Sequence, residues 1–206
     1  HGSLGNAVES LRLLTASGET VTCSREQNSE LFWATIGGMG LTGIILDARF
    51  QLRSVQTAYC HVTYRRTADL EETLDLFEQS DENFEYSVAW IDCLAQREKL
   101  GRSVVMLAND ATVDQLPWER RPAALELPRR RQLSIPFQLP SSLLNPLSIR
   151  AFNGLFYARH GDCERLVDFD TCFYPLDRIR NWNRIYGSRG VGQYQAYFPS
   201  ATSRQG

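Results

Sequence analysis

Glu30-Leu-Phe-Trp-Ala-Thr-Ile-Gly-Gly-Met-Gly-Leu-Thr-Gly-Ile-Ile-Leu-Asp-Ala-Arg-Phe50 contains Gly38-x-Gly40-x-x-Gly43, the letters of a dinucleotide fingerprint. The setting is the reverse of a Rossmann site. There the glycines follow a strand and open a helix, whose N-terminus holds the pyrophosphate. Here Ser29-Glu30 starts a helical segment that runs to Ile36, and the glycines end it. Ile44, Leu46, Ala48, Phe50 and Leu52 then recur at period two, which predicts a strand over 44–54 with one apolar face. The order is helix, glycine turn, strand. A cofactor meeting this turn meets bare backbone and no helix dipole.

Before the turn, residues 4–23 read as a β-hairpin, with strands at Val8–Leu14 and Glu19–Cys23 and Gly18 free to take positive φ between them. A first unit closes near residue 57. The second begins with a strand at Ala58–Tyr64. A helix at 68–79 follows, with Leu70, Leu74 and Phe77 as its buried stripe and acidic residues in its first turn. Strands at Phe84–Cys93 and Arg102–Leu107 come next, flanking a turn at Glu98–Gly101. Residues 117–140 carry five prolines and Arg129-Arg-Arg131, and read as a lid or a structureless segment. Solvated loop and contact with an anionic partner or membrane surface both remain open for the three arginines. Beyond lie a helix around Asn145–Tyr157, a strand at Val167–Phe173, a short helix at Asp177–Tyr186 and a strand at Gly192–Pro199.

The 206 residues are 43% hydrophobic and 22% charged, enough to bury a core, and the formal net charge of −2 gives nucleic acid no purchase. Five cysteines, with no CxxC spacing, read as reduced apolar residues and not as a disulfide frame or zinc site. No apolar run approaches a membrane span. The chain opens at His1 without a methionine and reads as a piece of a longer protein.

Classical nucleophile sets are absent, and His1, His61 and His160 stand in no metal-ligand spacing. Two strands stand out. In the first, Tyr86, Val88, Trp90 and Asp92 share a face opposite Ser87, Ala89 and Ile91. The small-residue face suits close helix packing. The Trp90 face suits either a ligand cavity or plain core. In the last strand Gln193, Gln195 and Tyr197 share a face, which lies on a solvated edge or lines a pocket for a hydroxylated ligand.

Taken in order, Leu13–Gly18, Glu30–Gly38, Gly40–Ile45, Ser87–Asp92, Lys99–Arg102, Pro175–Asp177, Trp182–Arg184, Tyr186-Gly187 and Gln193–Gln195, with Gly2–Gly5 ahead of them, span the chain. Their combination resembles the FAD-linked oxidases of the vanillyl-alcohol oxidase (p-cresol methylhydroxylase) superfamily, within it the decaprenylphosphoryl-β-D-ribose 2′-oxidase family. The resemblance implies an α+β fold. Residues 1–57 would be the C-terminal half of an FAD-binding domain, and 58–206 part of a substrate domain with a mostly antiparallel sheet and a mobile loop at 117–140. It implies FAD contacts at Gly38, Gly40, Gly43 and above all Ile45, where glycine keeps Cβ atoms away from the cofactor. Trp90, Gln193 and Gln195 match substrate-pocket positions. Phe173 falls where the family can carry tyrosine and Val88 where it can carry serine, so this pocket is less polar.

The implied reaction is oxidation of a sugar hydroxyl to a ketone by hydride transfer to flavin. The implied substrate is a polyprenyl-phosphate ribofuranose, with a short-chain reductase as partner. The base, a lysine, would lie beyond residue 206. An FAD phosphate loop and a His-Gly-Lys segment would lie before residue 1, with His1 as that segment's tail. No catalytic residue is identified within the chain, and isolated it is expected to hold FAD weakly. The implied location is cytoplasmic, or peripheral to the inner membrane or periplasm. An aldonolactone or other alcohol oxidase is the alternative within the superfamily. A non-catalytic α/β binding module is the alternative outside it, disfavoured by Trp90 and the glutamine pair.

Overall fold

The computed structural model describes residues 4–128, 132–190, 192–196, 199 and 202. The chain divides into two compact units, residues 1–55 and 56–206. Both mix helices with antiparallel sheet, an α+β architecture.

Unit 1 holds strands β1 (Val8–Leu14) and β2 (Thr20–Ser24), helix α1 (Ser29–Thr35) and strand β3 (Ile44–Phe50), with β1 central in a three-stranded sheet. The hairpin register sets Leu14 opposite Thr20 and Leu11 opposite Cys23, and Gly18 turns the chain at φ +84°. Val8, Leu11, Leu13, Cys23 and Phe32 form the core. Val8 and Leu11 are three residues apart, yet both are buried. A β-bulge between Val8 and Ser10 reconciles them, because its extra residue shifts the phase of the strand.

A second register shift, between the Arg12–Asp47 and Leu13–Ile45 pairs, breaks the period-two pattern expected of β3. The strand ends at Phe50, short of 54, and Ile44, Leu46 and Phe50 are exposed. Only Ala48 packs on the core.

Unit 2 is built on a four-stranded antiparallel sheet in the order β5-β6-β4-β8, formed by β4 (Tyr59–Thr67), β5 (Tyr86–Ile91), β6 (Ser103–Asp110) and β8 (Cys163–Asp168). Between β4 and β5 runs α2 (Leu70–Ser80). Asp69 caps it by accepting from the Glu72 amide, and Glu72 accepts in return from the Ala68 amide. Its most buried residues are Thr73 and Ser80, and Leu70 of the expected stripe is exposed. The buried side carries a hydroxyl contact to the sheet: Thr73 and Thr67 of β4 lie 2.7 Å apart, Oγ1 to Oγ1.

After β6 come 3-10 turns, then α3 (Pro146–Arg159). Asn145 caps α3 by accepting from the amides of Leu147 and Ser148. Within the described part of 117–140 there are a 3-10 turn at Trp118–Ala123 and strand β7 (Leu133–Ser134), paired in parallel with β9 (Ile179–Arg180). Arg129–Arg131 lie outside the described residues.

The strand expected at 167–173 divides in two. β8 ends at Asp168, whose carboxylate accepts from the Thr171 amide and hydroxyl and so opens α4 (Phe169–Phe173). The helix expected at 177–186 is two 3-10 segments, Pro175–Arg178 and Trp182–Arg189, on either side of β9. Residues 192–196 form no strand, and Tyr197 and Phe198 lie outside the described residues.

Candidate functional site

Alternation along β5 puts Tyr86, Val88 and Trp90 on one side of the sheet, opposite Ala108, Met106 and Val104 of β6. On β4 the same side carries Val62 and Tyr64. Two helices come against it. From α3, the Phe156 ring lies 4.5 Å from that of Trp90, and His160, just past the helix, lies 6.4 Å from Tyr64. From α4, the Phe173 ring meets Tyr86 edge-on at 4.7 Å, and Phe173 packs on the Cys60, Val62 and Ala108 cluster. Between the two aromatic pairs Val88 is 53% exposed. The α-carbons of Tyr86 and Trp90 stand about 13 Å apart along the strand. Val88 thus presents an exposed apolar surface on the strand between one aromatic pair at Tyr86 and another at Trp90. Trp90 is half-buried, one side of it covered by Phe156 of α3. Phe173 reaches this face from a helix and not from a strand.

The wall at Trp90 is held by a buried carboxylate. Asp92, 2% exposed, accepts from Arg102 Nη2 at 2.7 Å and Nε at 3.0 Å, from Asn153 Nδ2 at 2.7 Å and from the Leu94 amide at 3.1 Å. Burial alone would raise the Asp92 pKa. The hydrogen bonds from Arg102, Asn153 and Leu94 together outweigh it and hold the carboxyl below its ordinary value. Arg102 also stacks over Tyr157 at 4.7 Å, and the Tyr157 hydroxyl donates to the Thr67 carbonyl at 3.0 Å. The α3 helix is thus fixed by polar groups, and its rings fix Trp90 in turn. Sequence reading missed this network, although Asn153, a lone amide in an apolar helix, was a signal for it.

His160 caps the C-terminus of α3. Its Nδ1 lies 2.8 Å from the Phe156 carbonyl. If that contact is a donated proton, Nε2 is left as an acceptor. Burial raises the Tyr64 pKa, with the guanidinium of Arg165 pulling the other way from above the ring. The hydrogen bond shared with Cys172, and then burial, push the Cys60 thiol up, so it is not a reactive thiolate. All five cysteines are free.

Gln193 and Gln195 are exposed coil residues, and no sheet aligns their side chains. A polar cavity of about 620 Å³ adjoins α4, lined by Gln132, Asp170, Tyr174, Asp177, Arg178 and Arg180 with Pro128. Its two carboxylates balance its two guanidiniums.

In unit 1 the glycine turn is closed by the Thr35 and Thr42 hydroxyls at 3.0 Å. A Cβ on Gly38 would collide with the Ala34 carbonyl, and one on Gly43 (φ +144°) with that of Leu14. Those two glycines are required by the unit's own packing. Gly40 differs: at φ +77° it faces open space, beside exposed Met39 and Leu41. Ile45 is 50% exposed. Backbone at Gly40 and one aliphatic side chain at Ile45 are thus bare.

No family model matches the chain. Individual proteins do. Decaprenylphosphoryl-beta-D-ribose oxidase of Mycolicibacterium smegmatis is 39% identical over 202 residues, 97% of this chain and 44% of that protein. The FAD-linked oxidoreductase tazL of Aspergillus terreus is 46% identical over 52 residues, 25% of this chain and 10% of that protein. The chain belongs to the FAD-linked oxidase superfamily. Cytokinin dehydrogenase 1 of Arabidopsis thaliana, 50% identical over 52 residues, covers 25% of this FAD-linked oxidase chain and 9% of its own length. The chain spans less than half the length of the curated relatives it matches.

Proposed function

We propose that the chain is part of an FAD-dependent oxidoreductase that oxidises a ring hydroxyl of a polyprenyl-phosphate ribofuranose to a ketone. The observation that carries this reading is the 39% identity to decaprenylphosphoryl-beta-D-ribose oxidase over 97% of the chain, which takes in the glycine turn and the Trp90 strand together. On this reading unit 1 is the later half of an FAD-binding domain, and Gly40 and Ile45 bring bare backbone and an aliphatic side chain to the cofactor. Gly38 and Gly43 shape the turn. FAD, when bound, supplies the acceptor for a hydride.

Unit 2 is part of the substrate domain. Trp90 and Phe173 flank the sugar, Val88 is the floor beneath it, and the aromatic walls keep water from the reacting carbon. Gln193 and Gln195 supply amide contacts to sugar hydroxyls once substrate orders them. A short-chain reductase is the proposed partner for the keto product.

The test uses the full-length protein. It is expected to purify with a flavin absorption spectrum that bleaches on anaerobic addition of a polyprenyl-phosphate ribofuranose and not of a sugar lactone. A protein without flavin removes the reading. Bleaching by the lactone alone moves it to an aldonolactone oxidase.

A further inference from the structure

Residues 127–161 contain five arginines and no aspartate, glutamate or lysine, in a chain of net charge −2. Many of their apolar side chains are exposed, among them Leu133, Phe137, Leu143, Leu147, Phe152 and Leu155. The α3 helix concentrates the pattern. Its inward side is set by buried Asn153, bonded to Asp92, and by Phe156 against Trp90. At 100° per residue the opposite side carries Leu147, Ala151, Leu155 and Ala158, all exposed, with Leu147 at 79% and Leu155 at 56%. Exposed Phe152 and Arg159 run along one margin of that stripe, and Arg150 sits on the other. An amphipathic surface helix normally turns its charged residues outward. This one turns leucine and alanine outward, and its only charges are positive.

We propose that the outward face of α3, with Leu143 just before it, docks on an anionic lipid bilayer. The helix would lie in the interface plane with its leucines in the acyl boundary and Arg150 and Arg159 at the headgroup phosphates. Among the described residues no helix is long and apolar enough to cross a membrane, so this is contact from one side. Charge selects the occupant. A purely apolar partner would leave both guanidiniums without counter-charge, whereas acidic headgroups beside acyl chains satisfy both features of the face. The proposal does not depend on the flavin chemistry.

The experiment is co-sedimentation of the full-length protein with large unilamellar vesicles. One set is pure phosphatidylcholine and the other a phosphatidylcholine and phosphatidylglycerol mixture. Binding to the mixed vesicles is expected to exceed that to the neutral ones by tenfold or more and to weaken as salt rises. The double variant Leu147→Glu/Leu155→Glu is expected to lose binding at least tenfold while keeping its thermal midpoint. Arg150→Gln/Arg159→Gln is expected to lose only the salt-sensitive part. Three results would overturn the proposal. One is equal binding to both vesicle types, or none. Another is a large fall in thermal midpoint for the glutamate variant, which would show the face covered by the rest of the protein. The third is a dimer that the same variant dissociates, which would give the face to a second copy.

Discussion

The glycine turn of unit 1 and the Trp90 face of unit 2 are organised in opposite ways. The turn is defined by backbone. Its conformation comes from glycine φ values and two carbonyls that leave no room for a Cβ, and little side-chain structure covers Gly40. The Trp90 face is defined by side chains held by other side chains, ending in a carboxylate with four donors. Backbone features are written locally, so substitutions there act through strain. A buried polar network is written across distant positions, so substitutions there act through unpaired groups.

That contrast is open to direct attack. The largest expected effect is at Asp92. Asp92→Ala strands Arg102 and the buried Asn153 amide, and should cost about 3 kcal/mol or more in denaturant unfolding. An unchanged midpoint would dissolve the contrast from the side of unit 2.

A pH series sharpens the same point. The folded-state pKa of Asp92 lies below its unfolded value, so its contribution is fully present above the ordinary carboxylate range. It is lost as pH falls through the lowered folded value. Asp92→Asn should flatten the acid limb of the stability curve below about pH 4. An unaltered acid limb would show that Asp92 does not titrate differently on unfolding.

Next comes Gly43→Ala, at about 2 kcal/mol, because the new Cβ meets the Leu14 carbonyl at a φ that disfavours any side chain. Gly40→Ala should cost about 1 kcal/mol, from φ alone, and should weaken flavin binding in the full-length protein more than Gly43→Ala does. The reverse order of flavin affinities would count against Gly40 as the bare contact.

Smaller still is Val88→Ser, expected to lower KM for a sugar substrate about fivefold through one added hydrogen bond. A fall in kcat with KM unchanged would argue that Val88 is not on the substrate floor. At the bottom is Arg12→Ala. Its ion pair with Asp47 is solvent-exposed, and no change in unfolding midpoint is expected.

Sequence legibility followed the same division. The hairpin at 8–24, α1 with its glycine stop and three of the four main strands of unit 2, β4, β5 and β6, were readable from period, caps and turn residues. The β3 pattern failed because the strand pairs with a register shift that leaves Ile44, Leu46 and Phe50 exposed, and a bulge leaves no mark in an alternating apolar run. Val167–Phe173 reads as β-rich, yet Asp168 and Thr171 together form a helix cap that wins locally. Trp90 and Val88 were assigned to one face correctly, since strand period needs no partner. What covers Trp90 depends on Asn153, 61 residues beyond Asp92, and no spacing rule links them. Gln193 and Gln195 alternate like strand residues, but none of the described strands pairs with 192–196.

The reach of Asp92 has a further consequence. Because Asn153 is tied to the end of β5, the position of α3 is measured from the sheet and not from the 35 residues that link it to β6. The linker's exposed stretches are freed from any duty of spacing, whereas buried Ala111, Leu116 and Ala124 and the cap residue Asn145 are not. Lengthening those exposed stretches should leave the Trp90–Phe156 distance as it is, so their surface chemistry is open to change while the aromatic wall stays calibrated.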